Sequence, residues 1–268
     1  MQILFPLLTI AGFYPLVRAW RVQRRTSLQH AVVWAGAAWA AWGLALVFAT
    51  PHRFGLDPWR YFALCLTGAA GVAVLGARRP RLGAWDLVVV GLLAVMLLPL
   101  GESLFLGTPA MDWLRLFFLV GTLAVGILNY LPTAHIIPAL LLGAICLGEC
   151  LALFSADLWI GSGGLDVLHI CLLAVPWLGL ASWQREPVDY PLDQTWLDFR
   201  DTYGLFWGQR VRDQYNRGAA NAGLPGYLYW HGWEQGKKED PPTEGQWREM
   251  QTILVALLKR FGNEPLEK

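Results

Sequence analysis

IIPALLLGAICLGECLALF, residues 136–154, is nineteen residues of apolar chain holding a single charge, Glu149. A helix of about 20 such residues matches the roughly 30 Å hydrocarbon core of a bilayer. Helix is the form expected, because lipid offers the backbone no hydrogen-bond partners and each segment must satisfy its own. Six further runs read the same way, at 2–18, 31–50, 61–77, 84–100, 113–130 and 165–183. The sequence therefore predicts an all-α integral membrane protein, a bundle of about seven transmembrane helices over residues 1–183. Small residues cluster at Ala35–Ala38 and Gly68–Gly71, where they would let helices approach closely.

Composition agrees. Hydrophobic residues make up 55% of the 268, charged residues only 15%, and mean hydropathy is +0.39. Soluble domains carry about 25% charged residues. Charge is also uneven: residues 1–183 hold ten Arg, no Lys and seven acids, whereas residues 184–268 hold eleven basic and thirteen acidic residues. A net charge of +1 gives no basic surface for nucleic acid. The four cysteines all fall in apolar runs, unlike a secreted disulfide framework.

Orientation follows from the arginines. No charge precedes Tyr14, while Arg18, Arg21, Arg24 and Arg25 follow the first run, the reverse of a signal peptide. With Arg78, Arg79 and Arg81, seven arginines fall in loops on one side, against Arg53, Arg60 and Arg115 on the other. Basic loops stay in the cytoplasm. This predicts an outside N-terminus and a cytoplasmic C-terminus in the cell (inner) membrane. Trp20, Trp85, Trp113, Trp159 and Trp183 lie near span ends, where indoles favour the headgroup level.

After a linker over 184–192, residues 193–268 read as an amphipathic, helical C-terminal region. Apolar residues recur at steps of three and four from Leu192 to Tyr215, predicting a helix over about 193–222. The aromatic run 224–233 reads as a turn with a short strand. Thr243 and Gln246 then have capping-box spacing ahead of an apolar stripe from Trp247 to Phe261, and Gly262 stands where a C-cap would. These helices are expected to pack on each other and on the base of the bundle. Trp196, Phe199, Tyr203 and Trp207 are the candidates for docking a protein partner or a second copy.

Ionisable groups in lipid are costly and mark candidate sites. Glu149 lies near the end of the sixth span, and Asp166 and His169 near the start of the seventh. Antiparallel neighbours joined by a short loop bring such positions to similar depth. Cys146 shares a face with Glu149, and Asp166 with His169. The four form a candidate intramembrane cluster. It suits proton or ion handling, or structural pairing of Glu149 with His169 and capping by Asp166. No dedicated metal motif is present, and no metal or cofactor is expected. Asp86 reads as a partner for Arg78–Arg81, Arg115 as snorkelling, and Asn129 as hydrogen-bonding between helices. The loop Ile160–Gly164, IGSGG, has isoleucine where a GxSG serine motif needs glycine and reads as a turn. Three roles fit: a non-catalytic membrane component with a partner-docking tail, a transporter or ion-handling protein, and an enzyme acting on a lipid-phase substrate. With no catalytic motif, the reading leans away from an enzyme.

Overall fold

A computed structural model describes residues 4–48, 57–77, 84–106, 112–154, 162–183, 188, 190–236 and 241–262. The elements are α1 Leu4–Ala11, α2 Phe13–Gln23, α3 Gln29–Phe48, α4 Pro58–Leu75, α5 Ala84–Met96, α6 Leu98–Leu106, α7 Trp113–Tyr130, α8 Ile136–Phe154, α9 Ser162–Ala181, α10 Pro191–Asn221, a hairpin of β1 Tyr227–Leu228 and β2 Trp233–Glu234, and α11 Glu244–Leu258. The all-α expectation holds, with one two-residue ladder added.

Five helical segments among the described residues are long and apolar enough to cross a membrane: α3, α4, residues 84–103, α7 and residues 136–153. The two remaining expected spans differ from their sequence outline. The first is two helices, α1 and α2, meeting at Gly12, and α2 runs on to Gln23, so Arg18 and Arg21 are helical. The last, α9, begins at Ser162 and holds Pro176. Proline inside a helix removes one ladder hydrogen bond. The fourth span is also divided, into α5 and α6. Asp57 caps α4, its carboxylate accepting from the N–H groups of Trp59 and Arg60 at 3.0 and 3.1 Å.

The packing order is a ring. α2 meets α3, α3 meets α4, α4 meets α7, α7 meets α8, α8 meets α9, and α9 returns to α2. Tyr14 of α2 stacks on Trp177 of α9 at this closure, with ring centroids 6.1 Å apart. α5 packs on α4 outside the ring. α4 and α7 approach closely: a Cβ on Gly71 would lie 2.8 Å from Gly126 Cα, so only glycine fits there.

The C-terminal region sits across one end of this ring, the tail end. Ser27 N–H donates to Phe261 O at 3.0 Å, and Ser27 Oγ donates to Ala77 O at 3.0 Å and lies 3.2 Å from the Tyr203 hydroxyl. Trp207 Nε1 donates to Val74 O at 3.2 Å. Arg200 and Asp201 form a buried pair, Arg200 Nη2 to Asp201 Oδ1 at 2.8 Å, and the same oxygen accepts from Ala134 N–H at 3.1 Å. Three turns of the ring, 24–28, 76–77 and 131–135, are thereby fastened to α10 and to the 3-10 turn Lys259–Phe261 that follows α11. Burial pushes the Tyr203 phenol up to about 12 despite its hydrogen bond with Ser27, so it stays protonated and donates to Phe261 O at 3.2 Å.

Trp196, Phe199, Tyr203 and Trp207 are buried here, at 0, 1, 0 and 4% exposure. They are internal and offer no exposed docking surface. Phe261 fills the space between them, with its ring centroid 5.0 Å from both Phe199 and Tyr203 and 5.4 Å from Trp207.

The capping box of α11 is complete, Thr243 N–H donating to Gln246 Oε1 at 2.8 Å and Gln246 N–H to Thr243 Oγ1 at 3.3 Å. Thr243→Ala is expected to cost this helix about 1 kcal/mol, read as faster amide exchange over residues 244–248.

Candidate functional site

Two features of the ring are candidates: a charged cluster at the far end, away from the tail, and a cavity along the axis. The cluster centres on Glu149, which α8 places inside the ring with no exposure. Its Oε2 accepts from Arg60 Nε at 2.6 Å and also from Nη2 of the same guanidinium. His169 of α9 brings Nε2 to 2.9 Å from Oε1. That nitrogen stands off the line a hydrogen bond needs, so Oε1 receives no well-directed donor from the described residues. A carboxylate taken out of water is tolerable because Arg60, 13% exposed at its side chain, compensates it.

The expected cluster is thus partly assembled. Glu149 and His169 meet. Cys146 is buried one turn along α8 but bonds neither of them. Asp166 lies in the first turns of α9, and its side chain is outside the described residues. Arg60, the strongest partner of Glu149, went unrecognised in the sequence, where it counted only as a loop charge. Among the described residues, no three His, Cys, Asp or Glu stand close enough together to hold a metal ion. All four cysteines are free thiols.

Other expected pairs also moved. Asp86 meets His30, with Nδ1 2.8 Å from Oδ2, whereas Arg78, Arg79 and Arg81 lie outside the described residues. Arg115 pairs with Glu102 at 2.7 Å and with Asp112 at 3.5 Å. Asn129 does bond between helices: Nδ2 donates to Tyr203 O at 3.3 Å, and Oδ1 accepts from Phe206 N–H at 3.0 Å. The linker at 184–187 and the start of the IGSGG loop fall outside the described residues.

No protein-family model, no curated protein and no solved structure matches this chain.

The cavity has a volume of about 420 Å³. Pockets for small organic molecules run from about 300 to 1,000 Å³. All six helical staves of the ring contribute to its wall, and α10 supplies the floor through Asp201 and Thr202. The wall is apolar toward the far end. Trp39 and Trp42 stand there with their indole N–H groups already used, on Thr9 O at 2.9 Å and Thr67 Oγ1 at 3.0 Å. Polar groups gather toward the floor: Gln23, Tyr130, His135 and Thr202. The charged cluster lies beyond the other end of the same lumen. Arg60 is seven residues before the lining Thr67 on α4, Glu149 seven after Leu142 on α8, and His169 three before Leu172 on α9. Those spacings keep each pair on one helix face.

Proposed function

We propose that this chain is a membrane protein of seven crossings that binds an apolar molecule taken from the lipid phase, without acting as an enzyme on it. Seven crossings are reached by counting α1 with α2, and α9, beside the five apolar segments; Leu4–Gln23 and Ser162–Ala181 are each twenty residues long. Hydrocarbon as the outer solvent is supported by side chains that water would not favour: Leu87, Leu114, Phe117 and Phe105 are 74, 76, 77 and 88% exposed. The four exposed arginines at Arg18–Arg25 lie at the tail end, which favours a cytoplasmic tail and an outside N-terminus in the cell (inner) membrane.

The observation that carries the binding reading is the cavity, apolar along its wall, floored by α10 and topped by the charged cluster. Filling it tests the reading. Ala35→Trp is expected to abolish an apolar species that co-purifies with the parent protein in near-stoichiometric amount, measured by lipid extraction and mass spectrometry, with thermal stability retained. Identical bulk phospholipid in both preparations would defeat it.

Ion or proton handling is the second reading, favoured by Glu149 Oε1, buried without a well-directed donor. Against it, Glu149 Oε2 is committed to two hydrogen bonds from Arg60, the arrangement of a structural ion pair. A protein partner or second copy, if one binds, would use surfaces other than the four buried rings.

A further inference from the structure

We infer that the molecule held in the cavity has an uncharged, hydrogen-bonding end and lies with that end on α10, its apolar body directed toward Trp39 and Trp42. This rests on the binding reading above and adds the chemical class and the orientation. The first ground is the charge balance of the wall. Among the described residues, no lysine or arginine lines the cavity, and the one acid that does is Asp201. That carboxylate is already matched by Arg200, whose Nε and Nη2 lie 2.9 and 2.8 Å from Oδ1, and by the Ala134 N–H. Arg21 stands on the opposite face of α2 from the lining Pro15, Leu16, Ala19 and Gln23, and Arg18 is exposed at the edge of that lining face. A phosphate or carboxylate would therefore lose its water without gaining a cation, and an ammonium would find its carboxylate taken.

The second ground is the placing of polar atoms. His135 Nδ1 lies 2.6 Å from Ser182 Oγ, and the Tyr130 hydroxyl donates to Thr202 O at 3.2 Å, both at the floor. The Tyr130 hydroxyl, while donating to Thr202 O, keeps its acceptor capacity and can take a hydrogen bond from an alcohol without needing a net charge. At the opposite end the two indoles present carbon only, since their N–H groups are engaged within the wall. A molecule entering with its polar end uppermost would meet in the lining only the Thr67 hydroxyl, already bonded to Trp42 Nε1 and Ala63 O.

The test uses the full chain in phosphatidylcholine nanodiscs and a hexadecanol analogue with a diazirine in mid-chain. Illumination is expected to label the wall around Trp39, Trp42 and Leu123. Unlabelled hexadecanol should displace the probe, while hexadecyl phosphate, hexadecanoate at pH 8 and hexadecyltrimethylammonium should do so at least about tenfold more weakly. A second probe with its diazirine beside the hydroxyl should label Thr202 and Ser182. Equal or better competition by a charged analogue overturns the neutral-end assignment and leaves the binding reading standing. Labelling of Trp39 by the second probe overturns the orientation. Labelling confined to lipid-facing residues such as Phe117, with no displacement by hexadecanol, removes the binding reading and this inference with it.

Discussion

Glu149→Ala is expected to destabilise the protein by about 3–5 kcal/mol, measured as thermal or denaturant unfolding in detergent. The carboxylate is fully buried and takes two hydrogen bonds from Arg60. Its loss leaves the Arg60 guanidinium, 13% exposed at the side chain, without its counter-charge. Glu149→Gln removes the charge but keeps an acceptor, so its cost has the same sign and a smaller size. The informative variant is the double one. Arg60→Leu with Glu149→Leu removes both charges and should recover most of the loss, because the cost of either single change is the unpaired partner. Single losses below about 1 kcal/mol that simply add in the double variant would show that the two groups are not coupled as a buried pair. His169→Ala should cost about 1 kcal/mol or less, since its Nε2 approaches Oε1 at 2.9 Å without a well-directed bond.

Why the sequence supplied one half of this cluster and not the other is a matter of range. Glu149 and His169 sit on consecutive helices joined by a short loop, and adjacency along the chain implies adjacency in space. Arg60 is 89 residues from Glu149. Their meeting depends on α4 and α8, the two neighbours of α7 in the ring, touching each other, which no local pattern encodes. Charge counting assigned Arg60 to a loop because an arginine at a span end is usually solvated. The bounds of α7 and α8, 113–130 and 136–154, agree between sequence and structure because each is a long apolar run with few polar interruptions. The first span was less legible, since hydropathy does not register the division at Gly12. In α10 the period of three and four identified a buried face correctly. It could not say what buries that face. Core and partner contact have the same periodicity, and the answer came from Ser27, Val74 and Phe261, distant in sequence and brought together only by the fold.

Gly204→Ala should be the second most damaging change, and it tests how α10 is held on the ring. The periodic stripe runs through residue 204 without a fault, so the sequence suggested one continuous helix weakened by glycine. The backbone is instead broken there, with φ 78° and ψ −168°, a conformation nearly confined to glycine. Asn129 of α7 occupies the break, donating to Tyr203 O and accepting from Phe206 N–H, the two groups that the interrupted helix leaves unpaired. An added Cβ would overlap the Asn129 amide. Backbone strain and overpacking each cost about 1–3 kcal/mol. The expected consequence is detachment of α10 after the break, with loss of the Trp207 bond to Val74 and a floor no longer closing the cavity. Hydrogen exchange over residues 204–221 should rise, as should proteolysis there. Gly218 in the same helix is the control. A Cβ there makes only ordinary contact with Ile253 at 3.5 Å, so Gly218→Ala is expected to stabilise by about 0.5–1 kcal/mol. Two glycine-to-alanine changes in one helix should thus have opposite signs. Asn129→Gly added to Gly204→Ala would relieve the overlap with the side chain, but neither the clash with the residue-129 carbonyl oxygen 2.6 Å away nor the strained dihedral, so recovery should be partial. If Gly204→Ala left exchange over 204–221 unchanged, the bond pair from Asn129 would not be what fastens α10 to the ring, and the hold would rest on contacts such as those of Ser27, Tyr130, Asp201 and Trp207.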